Sequence, residues 1–125
     1  MMKIILADDS SLLRDRIKKL IQEIKNVSLI GEAEDGIKAL DLIKKLNPDL
    51  SIIDIRMPGL SGIDVLKKTR ECGHHTKICI LTNFPHKQYR ERCFKEGADY
   101  FFDKSLEIQK MLDTITMLAN REKYE

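Results

Sequence analysis

The sequence predicts an α/β fold, a doubly wound, five-stranded parallel sheet between two layers of helices. Three observations carry this. Short apolar runs rich in β-branched and aromatic residues recur at Lys3–Ala7, Leu50–Ile53, Ile78–Leu81 and Tyr100–Asp103, the pattern of parallel strands buried on both faces. Helical patterns separate these runs, and alternating β and α elements with right-handed crossovers build a three-layer sandwich. Finally, the residues at which the runs end are polar: Asp8-Asp9, Asp54, Thr82 and Lys104. Loops at the carboxyl ends of parallel strands converge on a crevice, so these residues are expected to meet at one edge of the sheet.

The elements follow in order. After the first strand, Leu13, Ile17, Leu20, Ile21 and Ile24 form one face of a helix, with Ser10 or Ser11 placed to cap it. A second strand is expected at about Val27–Gly31. The next helix turns Ile37, Leu40, Ile43 and Leu46 inward and stops before Asn47-Pro48, because the residue ahead of proline disfavours helix. The third helix is predicted from near Ser61, with Ile63 and Leu66 inward, to about Cys72-Gly73. The fourth starts near Pro85, where a first-turn proline loses no hydrogen bond, and ends at Gly97. The last carries Ile108, Met111, Leu112, Ile115, Leu118 and Ala119 on one face, and Asn120–Glu125 reads as a frayed polar end. Two strand orders suit five βα units. The order 2-1-3-4-5 places its switch point between strands one and three, setting Asp8-Asp9 beside Asp54.

The 125 residues suffice for one domain with a real core. Hydrophobic residues at 42% and charged residues at 34% are ordinary for a soluble globular chain. A formal charge of +2, dispersed along the sequence, argues against nucleic acid or a membrane surface as a direct partner. The N-terminal apolar run stops at Ala7, short of the roughly 7–15 residues of a signal-peptide core. No segment reaches the roughly 20 apolar residues of a transmembrane helix. Cys72, Cys79 and Cys93 are odd in number and lack C-x-x-C spacing, which fits a reducing cytoplasm.

Each polar strand end has an ordinary reading as a turn or helix cap. Their co-location is the signal. Three carboxylates a few ångströms apart repel, and they either take up protons or bind a cation. Oxygen ligands with little else fit Mg²⁺. A carboxylate is also a nucleophile towards phosphorus. Metal and Lys104 would neutralise an incoming phosphoryl group, and Thr82 would hydrogen-bond one of its oxygens. Asp54 is the central acid. The loop after it, Ile55 to Gly62, holds Pro58 and two glycines able to fix a tight turn that presents a backbone carbonyl.

With these residues in place the sequence resembles the receiver domains of two-component response regulators. The matching residues are Asp8-Asp9, Asp35-Gly36, Asp54-x-x-Met57-Pro58-Gly59-x-x-Gly62, Thr82, Gly97-Ala98-Asp99 and Lys104, and the likeness covers essentially residues 1–125. It implies a flavodoxin-like, chemotaxis-regulator-like fold and a phosphorylation-operated switch. Asp54 would accept a phosphoryl group from a sensor histidine kinase or histidine phosphotransfer protein. Asp9 would bind Mg²⁺ directly and Asp8 through water, with the Arg56 backbone carbonyl as a further ligand. Thr82 and Lys104 would hold the phosphoryl group, and Phe101 would be the switch aromatic. A downstream protein target is implied too, read by a monomer or a phosphorylation-dependent dimer.

The sequence departs from the family pattern at three places. Ser105 stands where proline usually follows the lysine, Asn83 where a small residue follows the threonine, and Phe101 lacks a tyrosine's hydroxyl. A cis non-proline bond costs about 3–4 kcal/mol, so Lys104-Ser105 is expected to be trans. The Gly-Ala-Asp-x-x-x-x-Lys pattern before a non-proline resembles receivers that precede helix-turn-helix DNA-binding domains. No output domain is expected within the chain, which reads as a stand-alone receiver or as one excised from a transcriptional regulator.

Two other functions are weighed against this one. A Mg²⁺-dependent phosphohydrolase of haloacid-dehalogenase type would carry an acid/base aspartate two residues after the nucleophile, where this chain has Arg56. No enzymatic turnover is therefore expected beyond self-catalysed phosphoryl acceptance and slow autodephosphorylation. A flavin carrier would want a phosphate-cradling first loop, which Asp8-Asp9 opposes. Arg56 and Phe84, two residues beyond Asp54 and Thr82, are expected to flank the approach of water and to slow hydrolysis. His74-His75 is read as a polar loop, and Arg90-Glu91-Arg92 as a solvated helix face.

Overall fold

A computed structural model describes the backbone of residues 1–124 and side chains as far as Arg121. Strands and helices alternate as β1 (Met2–Ala7), α1 (Ser11–Gln22), β2 (Val27–Ala33), α2 (Gly36–Leu46), β3 (Leu50–Ile53), α3 (Gly62–Glu71), β4 (Lys77–Thr82), α4 (Lys87–Lys95), β5 (Tyr100–Asp103) and α5 (Ile108–Tyr124). All four strand pairs are parallel, and the order is β2-β1-β3-β4-β5. The doubly wound sheet expected from the sequence is present. The chain reverses direction of winding between β1 and β3, which places a crevice above their carboxyl ends.

Period-two alternation along each strand divides the apolar side chains between two cores. Ile4, Leu6, Leu50, Ile52, Cys79 and Leu81 face α1 and α5, meeting Ile17, Ile21, Met111 and Ile115. Ile5, Ala7, Ile53, Ile78, Ile80 and Phe101 face the other way, against Ala39, Ile43, Val65, Leu66 and Cys93 of α2, α3 and α4. Central strands β1 and β3 are apolar on both faces because both faces are covered.

Helix starts follow capping chemistry. Ser10 Oγ accepts from Leu13 N at 3.3 Å, and Asp35 Oδ1 accepts from Lys38 N at 2.8 Å. Ser61 and Asp64 form a reciprocal capping box on α3. α2 stops at Asn47, which turns left-handed (φ 46°) ahead of Pro48.

Five expectations need correction. β2 runs on to Ala33, because its pairing with β1 continues to Ala7 through a register shift between Ile4 and Ile5. α1 closes at Gln22, so Ile24 packs on the core from the following turn, where Asn26 takes φ 67°. Pro85 lies ahead of α4, which starts only at Lys87; Phe84 N bonds to Thr82 Oγ1 at 3.0 Å and prolongs the preceding loop. In α2 the buried stripe is Gly36, Ala39 and Ile43, leaving Ile37 63% exposed and Leu46 at the surface. Close approach of α2's first turn to the loop after β3 sets this rotation, since Gly36 N bonds to Pro58 O at 3.1 Å. Lastly, α5 continues through Tyr124, with no glycine or proline to break it; Glu125 lies outside the described residues.

One polar clamp ties α3 to the two loops that flank β4 and β5. The Arg70 guanidinium donates to the carbonyls of Gly97, His74 and Thr76 and pairs with Asp99 at 3.1 Å. Asp99 in turn accepts from Ile78 N at 2.9 Å, so α3, the start of β4 and the α4–β5 loop are held by one cation.

The loop from β3 to α3 returns tightly over the strand end, with Gly62 N bonded to Ile55 O at 2.7 Å. A Cβ on Gly62 would lie 2.1 Å from the Asp54 carbonyl oxygen and 3.0 Å from Ile55 Cα, backbone atoms that cannot swing aside as a side chain would. Gly62→Ala is expected to destabilise the fold by about 1–3 kcal/mol, as overpacking does. Urea denaturation of the two proteins measures this, and an unchanged midpoint would contradict it.

Candidate functional site

Three of the site residues are set by the sheet's own ladder, extended one bond past the end of a strand. Asp8 N donates to Ala33 O on β2 at 3.0 Å, Asp54 N to Ala7 O on β1 at 3.0 Å, and Lys104 N to Thr82 O on β4 at 2.9 Å. Asp9 follows Asp8 directly, and Thr82 closes β4. Because neighbouring strands are fixed to one another, these side chains converge with little freedom.

Carboxylate oxygens of Asp8, Asp9 and Asp54 lie within 4.8 Å of one another. Lys104 Nζ bridges two of them, donating to Asp54 Oδ2 at 2.9 Å and to Asp8 Oδ2. Asp8, Asp54, Thr82 and Lys104 are buried, whereas Asp9 is exposed. The other oxygen of Asp8 accepts from Ser10 N at 2.9 Å. Among the described residues, no hydrogen bond ends on the Asp9 carboxylate or on the Arg56 carbonyl.

Burial pushes the Asp54 carboxyl above its ordinary pKa, although the hydrogen bond and charge of Lys104 pull it down; the negative charge of Asp8 adds to the rise. Burial pulls Lys104 down, but its hydrogen bonds to Asp8 and Asp54 and their charges outweigh that and hold the ammonium protonated. With one ammonium against three carboxylates the cluster carries excess negative charge, and its donor set is all oxygen. That chemistry fits a hard divalent cation such as Mg²⁺, with the exposed Asp9 carboxylate the freest ligand.

The rim is built from Arg56 and Phe84. The guanidinium carbon of Arg56 stands 3.8 Å from the centre of the Phe84 ring, a cation–π contact that ties the two side chains together, although Arg56 itself remains exposed. A cleft of about 500 Å³ opens beside it, lined by Asp9, Arg56, Met57, Ile63 and Tyr89. A larger cleft of about 690 Å³ lies at the opposite pole, around Asn47, His74 and His75. Size does not mark the chemistry here, since that cleft holds no comparable cluster among the described residues.

Phe101 stands apart from the polar cluster. Its ring is buried in the α2–α3–α4 core, one residue before β5's register partner of Leu81. Arg90 on α4 covers it, with the guanidinium carbon 5.7 Å from the ring centre and Nη1 donating to the Phe101 carbonyl at 3.4 Å. The Lys104–Ser105 peptide is trans, as expected. Two acids take over the loop: Ser105 N bonds to Asp103 Oδ1 at 2.8 Å, and Asp103 N to Glu107 Oε1 at 3.0 Å. The bond from Asp103 N also holds the Glu107 carboxyl below its usual range.

Sequence reasoning did not find Arg14, whose guanidinium donates to the carbonyl of Asp8. Nothing in the helical periodicity of α1 distinguishes it from its exposed basic neighbours. Nor did it find Arg90 over Phe101, or the mutual stacking of Arg56 and Phe84, because each is a contact between elements that only the packed fold brings together.

Comparison with known proteins agrees with this fold. The chain is 32% identical over 119 residues to the nitrate/nitrite response regulator protein NarL of Escherichia coli, covering 95% of this chain and 55% of that one. It is 36% identical over 115 residues to the transcriptional regulatory protein YvfU of Bacillus subtilis, covering 92% of this chain and 58% of that one. The chain thus spans about half the length of the curated relatives it matches. Among solved structures, it superposes on the signal receiver domain of a NarL response regulator from Mycobacterium tuberculosis with a TM-score of 0.88 at 26% identity, covering 95% and 96% of the two chains. A LuxR-family DNA-binding response regulator from Staphylococcus aureus gives 0.88 at 28% identity, covering 95% and 99%. Residues 4–116 match the response regulator receiver domain family, and the chain belongs to that family.

Proposed function

We propose that the chain is a phosphorylation-operated switch whose acceptor is Asp54. The observation that carries this reading is the buried Lys104 ammonium bridging Asp54 and Asp8 beside the unpartnered Asp9 carboxylate. An Asp54 carboxylate oxygen attacks the phosphorus of a phosphohistidine on a kinase or phosphotransfer protein. The O–P bond forms as the P–N bond breaks, and the histidine leaves with the electron pair of that bond. Mg²⁺, held by Asp9 and Asp54, by Asp8 through water and by the Arg56 carbonyl, would neutralise charge on the transferring group. Lys104 is already within reach of Asp54 and shifts to a phosphoryl oxygen, and the Thr82 hydroxyl donates to another. Enzymatic turnover is disfavoured, because Arg56 occupies the acid/base position a phosphohydrolase needs and is stacked on Phe84.

We place the protein in the cytoplasm, in keeping with three free cysteines; among the described helices none is long and apolar enough to cross a membrane. Likeness to NarL and YvfU supports a second reading of the whole protein, in which this receiver governs a linked transcriptional output. Acceptance at Asp54 is common to both readings.

Incubation with a small phosphodonor and Mg²⁺ is expected to add one phosphoryl group, read by intact-mass spectrometry. Asp54→Ala should abolish the adduct, and Asp9→Ala should impair its formation more than Asp8→Ala. An adduct that persists in Asp54→Ala or without divalent metal would overturn the assignment.

Phosphorylation is expected to shift an equilibrium at β4, α4 and β5, as Thr82 turns towards the phosphoryl group and Phe101 repacks behind it. The route is short, since Thr82 Oγ1 holds Phe84 N and Arg90 joins α4 to Phe101. Amide chemical-shift changes should therefore extend to Phe101 and along α4; changes confined to the surroundings of Asp54 would refute the coupling.

Loss of the phosphoryl group should be slow. Hydrolysis needs a water in line with phosphorus, and neither Phe84 nor Arg56 can act as a base to orient one. Combining Arg56→Asn with Phe84→Glu is expected to speed decay, because it opens the in-line approach and supplies a carboxylate able to orient a water. Decay of the same rate in both proteins would show that the stacked pair does not shield the site.

A further inference from the structure

Arg14 is a half-buried cation that reaches the backbone of Asp8, yet it bonds to none of the three clustered carboxylates. Its side chain is 15% exposed, and its Nη1 donates to the backbone carbonyl of Asp8. Nε lies 3.6 Å from Glu32 Oε1 on β2 but meets no hydrogen-bond partner, while Lys18 Nζ holds the other Glu32 oxygen at 3.1 Å. Glu32 therefore pairs with the guanidinium from β2 and offsets its charge. The Asp8 residue is thereby gripped at every polar atom: its N–H by Ala33 O, Oδ1 by Ser10 N, Oδ2 by Lys104 and its carbonyl by Arg14.

The carbonyl bond matters for the next residue. The Asp8 carbonyl belongs to the Asp8–Asp9 peptide, which is planar, so fixing its oxygen also fixes the start of Asp9. Asp9 is exposed and accepts no hydrogen bond among the described residues. Its carboxylate nevertheless lies within the 4.8 Å cluster. Backbone orientation, with no side-chain partner, aims it there.

We infer that Arg14 is a positioning residue for the divalent-cation site, holding the Asp8–Asp9 peptide so that the Asp9 carboxylate faces Asp54, with Glu32 and Lys18 holding Arg14 in turn. The inference rests on the reading of the three acids as a Mg²⁺ site. Its sign is diagnostic. Deleting a cation near an acidic cluster would by charge alone strengthen Mg²⁺ binding. Losing the clamp weakens it, and groups that orient metal ligands typically contribute about 10–100-fold in affinity.

The test is Mg²⁺ titration of the unphosphorylated protein by calorimetry, at a temperature where thermal melts show each variant folded. Arg14→Met is expected to weaken binding about tenfold, with Arg14→Lys recovering part of the loss and Glu32→Gln, which frees the guanidinium, giving a smaller loss. Arg16→Met removes an exposed cation from the same helix without touching the Asp8 carbonyl, and should bind Mg²⁺ no more weakly than the parent. Unchanged or tighter binding in folded Arg14→Met and Glu32→Gln would overturn the role of Arg14 while leaving the metal site intact. Weakening in Arg16→Met equal to that in Arg14→Met would overturn it too, as a bulk charge effect. A parent protein that binds no Mg²⁺ would remove the site itself, and the inference with it.

Discussion

A buried ammonium needs buried partners, and the placement of Lys104 between Asp54 and Asp8 is the constraint on which the functional end of this molecule depends. Lys104 comes from the far side of β4, and its partners from β1 and β3. They meet because β1, β3, β4 and β5 are consecutive in the sheet. Any other order would leave an ammonium or a carboxylate buried without a counter-charge, with desolvation of several kcal/mol per ion. Strand order and site are thus one requirement. The lysine also holds two of the acids close together, and leaves the third without a hydrogen bond among the described residues.

Precision at the site comes from backbone more than from side chains. Asp8, Asp54 and Lys104 each donate their N–H to the neighbouring strand one residue past the end of regular pairing, so sheet geometry continues into the site. The loop after Asp54 is held down by the same means: Gly62 N reaches Ile55 O, and Gly36 N reaches Pro58 O from α2. Glycine is required at both contacts because a Cβ would meet backbone oxygen at 2.1 Å and 1.9 Å respectively. The loop after Asp54 is consequently wedged between α2 and α3, and its stiffness belongs to the fold as a whole.

The opposite side of the crevice is looser. Thr82 Oγ1 accepts a backbone hydrogen bond from Phe84, α4 starts without a side-chain cap, and Phe84 and Arg56 hold one another by a single stacked contact. Elements with few fixed partners are those that move at low cost. Arg90 links this side to Phe101, and through it to the core beneath α4. A rigid acidic cluster facing a lightly held loop and helix is an arrangement suited to conversion of a local charge change into a displacement.

The sequence by itself determined the fold class, the acidic pair and the polarity of the strand ends within this chain, because these follow from short-range pattern. Buried parallel strands must be continuous apolar runs, and the change from Ile53 to Asp54 or from Leu81 to Thr82 marks where the apolar run gives way to polar side chains. Capping by Ser10 and Ser61 and termination at Asn47-Pro48 are likewise local chemistry. Tertiary structure decided what depends on two elements meeting. The helical phase of α2, with Ala39 and Ile43 inward and Ile37 out, was set by its approach to the Pro58 loop. The late start of α4 was set by a bond from Phe84 back to Thr82. Arg14, Arg70 and Arg90 look alike in sequence, exposed cations on helix surfaces. Only packing distinguishes them, because each reaches a carbonyl oxygen on another element, and periodicity within one helix holds no information about what lies across from it.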